Sequence, residues 1–487
     1  MSSVLTGRSR WVALVVLCTG MLMIVLDVTV VNVALPAIQH DLGFTPSSLA
    51  WVVNAYLIAF GGLLLLAGRL GDLVSRRGVF LAGLAVFVAA SLACGLAGSQ
   101  EALIAARFVQ GVGGAMTSAV ILGMIVTMFP EPREQARAIG VFSFVASAGG
   151  SIGLLAGGML TQGLNWHWIF FINVPIGLVT AVAAIRLLPR DRGLGFGDGA
   201  DATGAVLITA ALMLCVYTIV KPAAELGWGA PQTLGLGGAT IVLLVAFVIR
   251  EAKARNPLVP LRIFRSADVS GANAIQALTV AGMFGMFFLG VLYLQQVLGY
   301  DSLTTGLAFL PTTVVMGTLS LRYAERLVHR FGARRVLLVG LALIAGGLAL
   351  FARVPVDGGY VLDVLPATLL LGIGVGGSMP ALAVLAMSGA TEQDAGLASG
   401  LFNTTAQVGA ALGLAVLATL SASRSEDLAG QGAGAAAALT GGYRLALLVG
   451  AALVAVAFVV ALAVIRRSAE RPSVEPAEPA LVLTGER

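Results

Sequence analysis

Residues 11–38 read WVALVVLCTGMLMIVLDVTVVNVALPAI. No residue from Trp11 to Leu26 is charged, and Asp27 then stands alone inside the run. About 20 apolar residues suffice to cross a bilayer as a helix, so this stretch spans one. It is too long for a cleaved signal peptide and holds Asp27 within it. A carboxylate at that depth costs about 2.5–3.5 kcal/mol or more. It is therefore expected to handle an ion or a substrate. A low dielectric favours its neutral form, which lets it take up and release a proton.

The rest of the chain has the same character. Hydrophobic residues make up 58% of it and charged residues 11%, with a mean hydropathy of +0.96. No water-soluble fold hides that much apolar surface. Fourteen apolar spans are expected, at 11–38, 47–69, 78–98, 101–128, 136–162, 167–189, 202–221, 231–250, 269–298, 302–322, 333–353, 360–388, 395–421 and 440–465. The runs are continuous and lack the alternation of a membrane barrel, so the fold class is an all-α integral membrane protein. Cys18, Cys94 and Cys215 all fall within spans, and the three histidines are scattered. Neither a disulfide framework nor a metal site is implied. Without a His/Asp/Glu cluster or an activated serine, an enzyme is disfavoured, and no cofactor is expected.

Charge distribution sets the orientation. With the N-terminus inside, 24 of the 29 basic residues fall on cytoplasmic segments, including Arg8 and Arg10, Arg76 and Arg77, Arg322, Arg326 and Arg330. Only Lys221, Arg353, Arg424 and Arg444 fall outside, and Arg107 lies within a span. Both termini are thus expected in the cytoplasm. The net charge of +5 belongs to this bias and implies no nucleic-acid partner. Twenty-seven arginines against two lysines suggest a GC-rich bacterial genome, and so a bacterial plasma membrane.

The chain also repeats. Gly111-Val112-Gly113-Gly114 recurs as Gly374-Val375-Gly376-Gly377, and Gly140, Gly149 and Gly153 recur as Gly400, Gly409 and Gly413. Arg77 and Gly83 recur as Arg334 and Gly340. The offsets of 263, 260 and 257 imply two parallel halves with a substrate cavity between them. The expected organisation is a six-helix half at 1–200, two inserted helices with linkers at 201–267, a second six-helix half at 268–466 and a cytoplasmic tail at 467–487. In this register Arg107 matches Leu370, so its charge is not demanded by the repeat.

These motifs resemble the major facilitator superfamily, and specifically its fourteen-helix drug:proton antiporter family. Residues 26–36 are similar to that family's first-helix signature. Gly68-Arg69-Leu70-Gly71-Asp72 with Arg76 and Arg77 resembles its gating motif, Arg107 with Gln110, Gly111 and Gly113 its fourth-helix motif, and Trp168 to Pro175 its sixth-helix signature. Two motifs depart from the family pattern. Leu73 and Ser75 stand where a basic residue and a glycine are usual, and Leu154 stands where the antiporter motif has proline.

The resemblance implies proton-coupled export by alternating access, with protons and a small hydrophobic cargo as partners and the proton gradient as energy source. Asp27 and Arg107 are the expected proton-coupling pair, and Gly68, Asp72, Arg76 and Arg77 the gate. Trp51, Asn54, Tyr56, Gln110, Gln295, Asn403 and Gln407 are candidate cavity residues, with Phe144, Phe288, Tyr293 and Phe402 as aromatic lining. Gly149, Gly153, Gly157 and Gly158 read as small-residue faces for close helix approach. The arginine-rich segment 250–265 reads as topogenic. Carboxylates other than Asp27, Asp268 and Asp363 among them, map to loops, tails or span ends. The cavity is therefore expected to balance at most one cationic charge, favouring neutral or monovalent cargo. A monomer suffices for this mechanism, and a proton-coupled symporter of a nutrient or metabolite is the alternative on the same scaffold.

Overall fold

A computed structural model describes residues 7–45, 48–191, 193, 201–388 and 395–464. The tail at 467–487 lies outside them, as do Arg192 and Arg466 and the side chain of Phe144. Among the described residues, fourteen long helices follow one another: α1 (Gly7–Leu42), α2 (Trp51–Leu73), α3 (Arg76–Gly95), α4 (Gln100–Met128), α5 (Pro132–Gly163) and α6 (Trp168–Leu187). Then come α7 (Ala202–Ala223), α8 (Pro231–Lys253), α9 (Ala267–Val297), α10 (Ser302–Phe331), α11 (Ala333–Phe351), α12 (Tyr360–Ala386), α13 (Ala395–Gly430) and α14 (Ala435–Val464). Thirteen are long and apolar enough to cross a membrane, and the remaining one, α5, has 32 residues.

Local chemistry explains where the helices begin. Ser75, Ser99, Asp201, Ser266 and Asp301 each accept a hydrogen bond from a backbone N–H in the first turn of the helix that follows. Gly332, at φ 82°, makes the reversal between α10 and α11 that a side chain would resist. The outer faces stay apolar, with Val179, Val242, Val339 and Val459 all exposed. On a soluble protein such a surface would aggregate; here it is the face that lipid covers.

α1–α6 and α9–α14 form the two halves, and the inserted pair α7–α8 packs beside α2 and α13. The repeat is visible in how backbones meet. A Cβ on Gly113 would lie 2.8 Å from Gly83 O, and one on Gly374 would lie 2.7 Å from Gly340 O. Likewise a Cβ on Gly111 would press on Tyr56 O, and one on Gly372 would lie 2.7 Å from Thr312 O. Gly113 therefore corresponds to Gly374, an offset of 261 rather than 263. The counterpart of Arg107 is Thr368, fully buried and bonded to Leu365 O, and not Leu370. Repeated Gly-x-Gly-Gly strings can be matched two residues out of step, and backbone contact removes the ambiguity.

The face where α1 begins is called the near face, the opposite one the far face. At the far face the halves touch. A Cβ on Gly158 would lie 2.6 Å from Ser302 O, and one on Gly306 would lie 2.6 Å from Leu154 O. Gln295 Nε2 donates to Val33 O at 3.0 Å, and Gln296 Nε2 to Gln39 Oε1 at 2.8 Å. Toward the near face, Gly61 admits Gln407 and Gly400 admits Leu65, joining α2 to α13.

Candidate functional site

Asp27 and Arg107 are each 1% exposed, and both lie inside the first half. Arg107 Nη1 donates to Asp27 Oδ2 at 2.5 Å. The other carboxylate oxygen, Oδ1, accepts from Gln110 Nε2 at 2.7 Å and from Asn173 Nδ2 at 3.0 Å. Ser91 Oγ accepts from both of these amides and donates to Phe170 O at 2.9 Å. The guanidinium is held in turn by further bonds, with Nε on Val52 O at 2.9 Å and Nη1 also on Gln110 Oε1 at 2.6 Å. Its carbon sits 4.4 Å from the centroid of the Tyr56 ring.

Five helices supply the network around this carboxylate: α1, the Val52 carbonyl of α2, Ser91 of α3, Arg107 and Gln110 of α4, and Phe170 and Asn173 of α6. Three donors on two oxygens compensate the buried carboxylate with charge-assisted hydrogen bonds. Breaking the pair by neutralising one partner costs about 3–5 kcal/mol in buried pairs generally. Asn173 lies within the sixth-helix signature, and Ser91 belongs to none of the sequence motifs. A lone amide and a lone hydroxyl in apolar runs were the available signal.

Two candidate cavity residues belong elsewhere. Gln110 is fully buried as a ligand of Asp27, and Tyr56 is the platform beneath Arg107. Both face the interior of the first half, because the α2 stripe of Val52, Tyr56 and Ala59 turns toward α4. Asn54 lies on the stripe of Gly61 and Leu65 that turns toward α13, buried with neither amide atom bonded. Gln407 lies on that same seam, and Trp51 is buried nearby on α2. Gln295 belongs to the far-face contact, and Asn403 is exposed.

The gating motif is a knot within the first half. Asp72 Oδ1 accepts from Arg76 Nε and Nη2 at 3.0 and 2.9 Å, while Arg76 Nη1 reaches Gly123 O of α4 at 3.0 Å. Arg77 Nη2 donates to Ile185 O of α6 at 2.5 Å. Within this motif α2 approaches α4 tightly at Gly71, whose Cβ would lie 2.5 Å from Val120; at Gly68 the nearest atom is 3.9 Å away.

Asp191, which the sequence reading passed over, seals the knot. It accepts from Ser75 Oγ and Arg76 N, both at 2.6 Å, and from Arg77 N at 3.2 Å. Partial burial pushes its carboxyl up, but these hydrogen bonds outweigh that and hold it below the ordinary range. The serine at position 75, where a glycine is usual, supplies one of them. Gly149, Gly153 and Gly157 pack on Val25, Leu26 and Val30 of α1, whereas Gly158 meets α10 of the other half.

The Major Facilitator Superfamily profile matches residues 17–414. The chain belongs to that superfamily. The puromycin resistance protein pur8 of Streptomyces alboniger is 39% identical over 444 residues, covering 90% of this chain and 88% of that one. The cephamycin export protein CmcT of Amycolatopsis lactamdurans is 42% identical over 414 residues, covering 84% and 85%. Among solved structures, a bacterial homolog of the human lysosomal transporter Spinster, inward-facing and unoccupied, matches with a TM-score of 0.68 over 94% of this chain and 98% of that one. At 15% identity that likeness concerns the fold alone. The protein is a multi-pass membrane transporter and not an enzyme.

Proposed function

We propose that this chain exports apolar, antibiotic-like compounds across a bacterial plasma membrane in exchange for protons, as a monomer with its near face and both termini in the cytoplasm. The observation that carries this reading is the buried Asp27–Arg107 pair, with its carboxylate tied directly to α4 and α6 and, through Ser91, to α3. Relatives named for resistance to, or export of, puromycin, cephamycin and tetracenomycin support an efflux direction.

Protonating Asp27 removes the anion that holds Arg107, Gln110 and Asn173 together. Val33, whose carbonyl receives Gln295, is six residues further along α1, about 9 Å of helix away. A shift of α1 therefore reaches the far-face contact directly. The far face opens as the near face closes, cargo leaves, and release of the proton to the cytoplasm restores the pair. One proton moving inward contributes roughly 2.3 kcal/mol per 100 mV and about 1.4 kcal/mol per pH unit. Arg107 already neutralises Asp27 in the closed pair, so neutral or singly cationic cargo suits the site.

The test is a susceptibility panel of structurally diverse antibiotics on a host lacking its own pumps, with and without this chain. Protection that collapses when a protonophore dissipates the gradient is the expected result. Unchanged susceptibility to every compound contradicts the reading.

A further inference from the structure

The segment joining α8 to α9 is more than a charged loop. Leu258, Val259 and Ile263 are buried in one apolar cluster with Ala205 of α7, Val269 of α9 and Leu401 of α13, against Leu63, Leu65 and Leu66 of α2. It is a strap that touches both halves and the inserted pair at the near face. Its anchor is Glu251 at the end of α8, whose Oε2 accepts from Val259 N at 2.8 Å. The other oxygen, Oε1, has no hydrogen-bond partner, and the residue is 2% exposed.

A second carboxylate stands beside it. Asp201 is 4% exposed, caps α7 through Gly204 N at 2.9 Å, and receives Arg250 Nε on both oxygens at 3.0 and 3.1 Å. A Cβ on Gly204 would lie 2.6 Å from Glu251 Oε1 and 3.0 Å from Asp201 Oδ2, so both carboxyl groups converge on the first turn of α7. One guanidinium serves the two, and it is bonded to Asp201. Lys253, Arg255, Arg262, Arg265 and Asp268 are exposed, and α2, α9 and α13 contribute leucines and Val269 to the strap's cluster. A buried carboxyl with one unpartnered oxygen beside a second carboxyl is accommodated more readily as the neutral acid than as the anion.

We propose that Asp201 and Glu251 form a second proton-binding site, in which Glu251 takes one proton from the near-face compartment and so keeps the strap docked across both halves. The proton bonds to a Glu251 oxygen, and Asp201 keeps Arg250 on both of its oxygens. When Glu251 ionises, a second negative charge appears beside Asp201 in an apolar pocket, and the strap releases. Docking is therefore strongest in acid and weakens as pH rises. The inserted helix pair thereby acquires a role: it reports near-face pH to the seam between α2 and α13.

Hydrogen–deuterium exchange of the full-length protein in lipid nanodiscs tests this independently of any transport. Protection of the Leu258 and Val259 amides, corrected for intrinsic exchange, is expected to fall with rising pH, at most about tenfold per pH unit for one proton. Glu251→Gln should stay protected throughout, because its amide never ionises. Asp201→Asn should lose less protection over the same range, because Glu251 then ionises without an anionic neighbour and with Arg250 free to meet it. A wild-type profile flat in pH overturns the proposal. So does a Glu251→Gln profile that follows the wild type, or an Asp201→Asn profile that loses as much.

Discussion

Arg107 and Asp27, 80 positions apart, meet at 2.5 Å with 1% of each residue exposed. A buried pair of this kind is weak evidence for net stability but strongly resents the loss of one partner. Asp27→Asn leaves a guanidinium buried without its anion, and Arg107→Gln leaves the carboxylate alone. Each single variant should therefore lose about 3–5 kcal/mol. The double variant Asp27→Asn/Arg107→Gln should recover most of that loss. Thermal unfolding of purified protein measures the cycle, and additive losses would show that the two side chains do not act as a unit.

Asn173 and Ser91 position the carboxylate. Asn173→Ala removes one donor from Asp27 Oδ1, an interaction worth about 1.5–3 kcal/mol when the acceptor is charged. The ionised form loses support, so the pH profile of transport should move toward alkaline while cargo affinity stays near the wild-type value. A lowered rate with an unmoved profile would reduce Asn173 to packing.

The cap on α3 has its own pH signature. Asp191 is held below the ordinary carboxylate range, so its contribution is complete above that range and disappears as pH falls through the lowered value. Asp191→Asn should loosen the first turn of α3 by about 0.5–2 kcal/mol, the usual range for an N-cap. Faster amide exchange at Gly78 and Val79 near neutral pH would register it. Wild-type exchange at those two amides in the variant would mean that Ser75 suffices alone.

The architecture was legible because it rests on long apolar runs and charge bias, both of which are one-dimensional. Asp27 stood out for the same reason: a charge at that depth has few bland explanations. Tyr56 and Gln110 were harder. Which face of α2 or α4 turns inward depends on the partner helix, and the sequence names polar residues without saying which interior they enter. Asp191 and Glu251 sit at helix ends among arginines, where a carboxylate ordinarily reads as topology. Only the fold brings Asp191 onto the N-terminus of α3 and folds the strap over Glu251.

Cargo charge follows from the closed pair. With Asp27 neutralised by Arg107, little negative charge remains for a dication in a cavity of low dielectric. A mono-quaternary compound should be effluxed from loaded cells, and its matched bis-quaternary analogue should not. Equal efflux of both would place cargo neutralisation on some other carboxylate or at none.

The central claim is that a proton on Asp27 drives export. In inside-out vesicles with an acidified interior, the wild-type chain should accumulate a fluorescent lipophilic monocation against its gradient. Asp27→Asn, paired with Arg107→Gln where stability requires it, should exchange the dye only to equilibrium. Uphill accumulation by the variant at the wild-type level would contradict the claim.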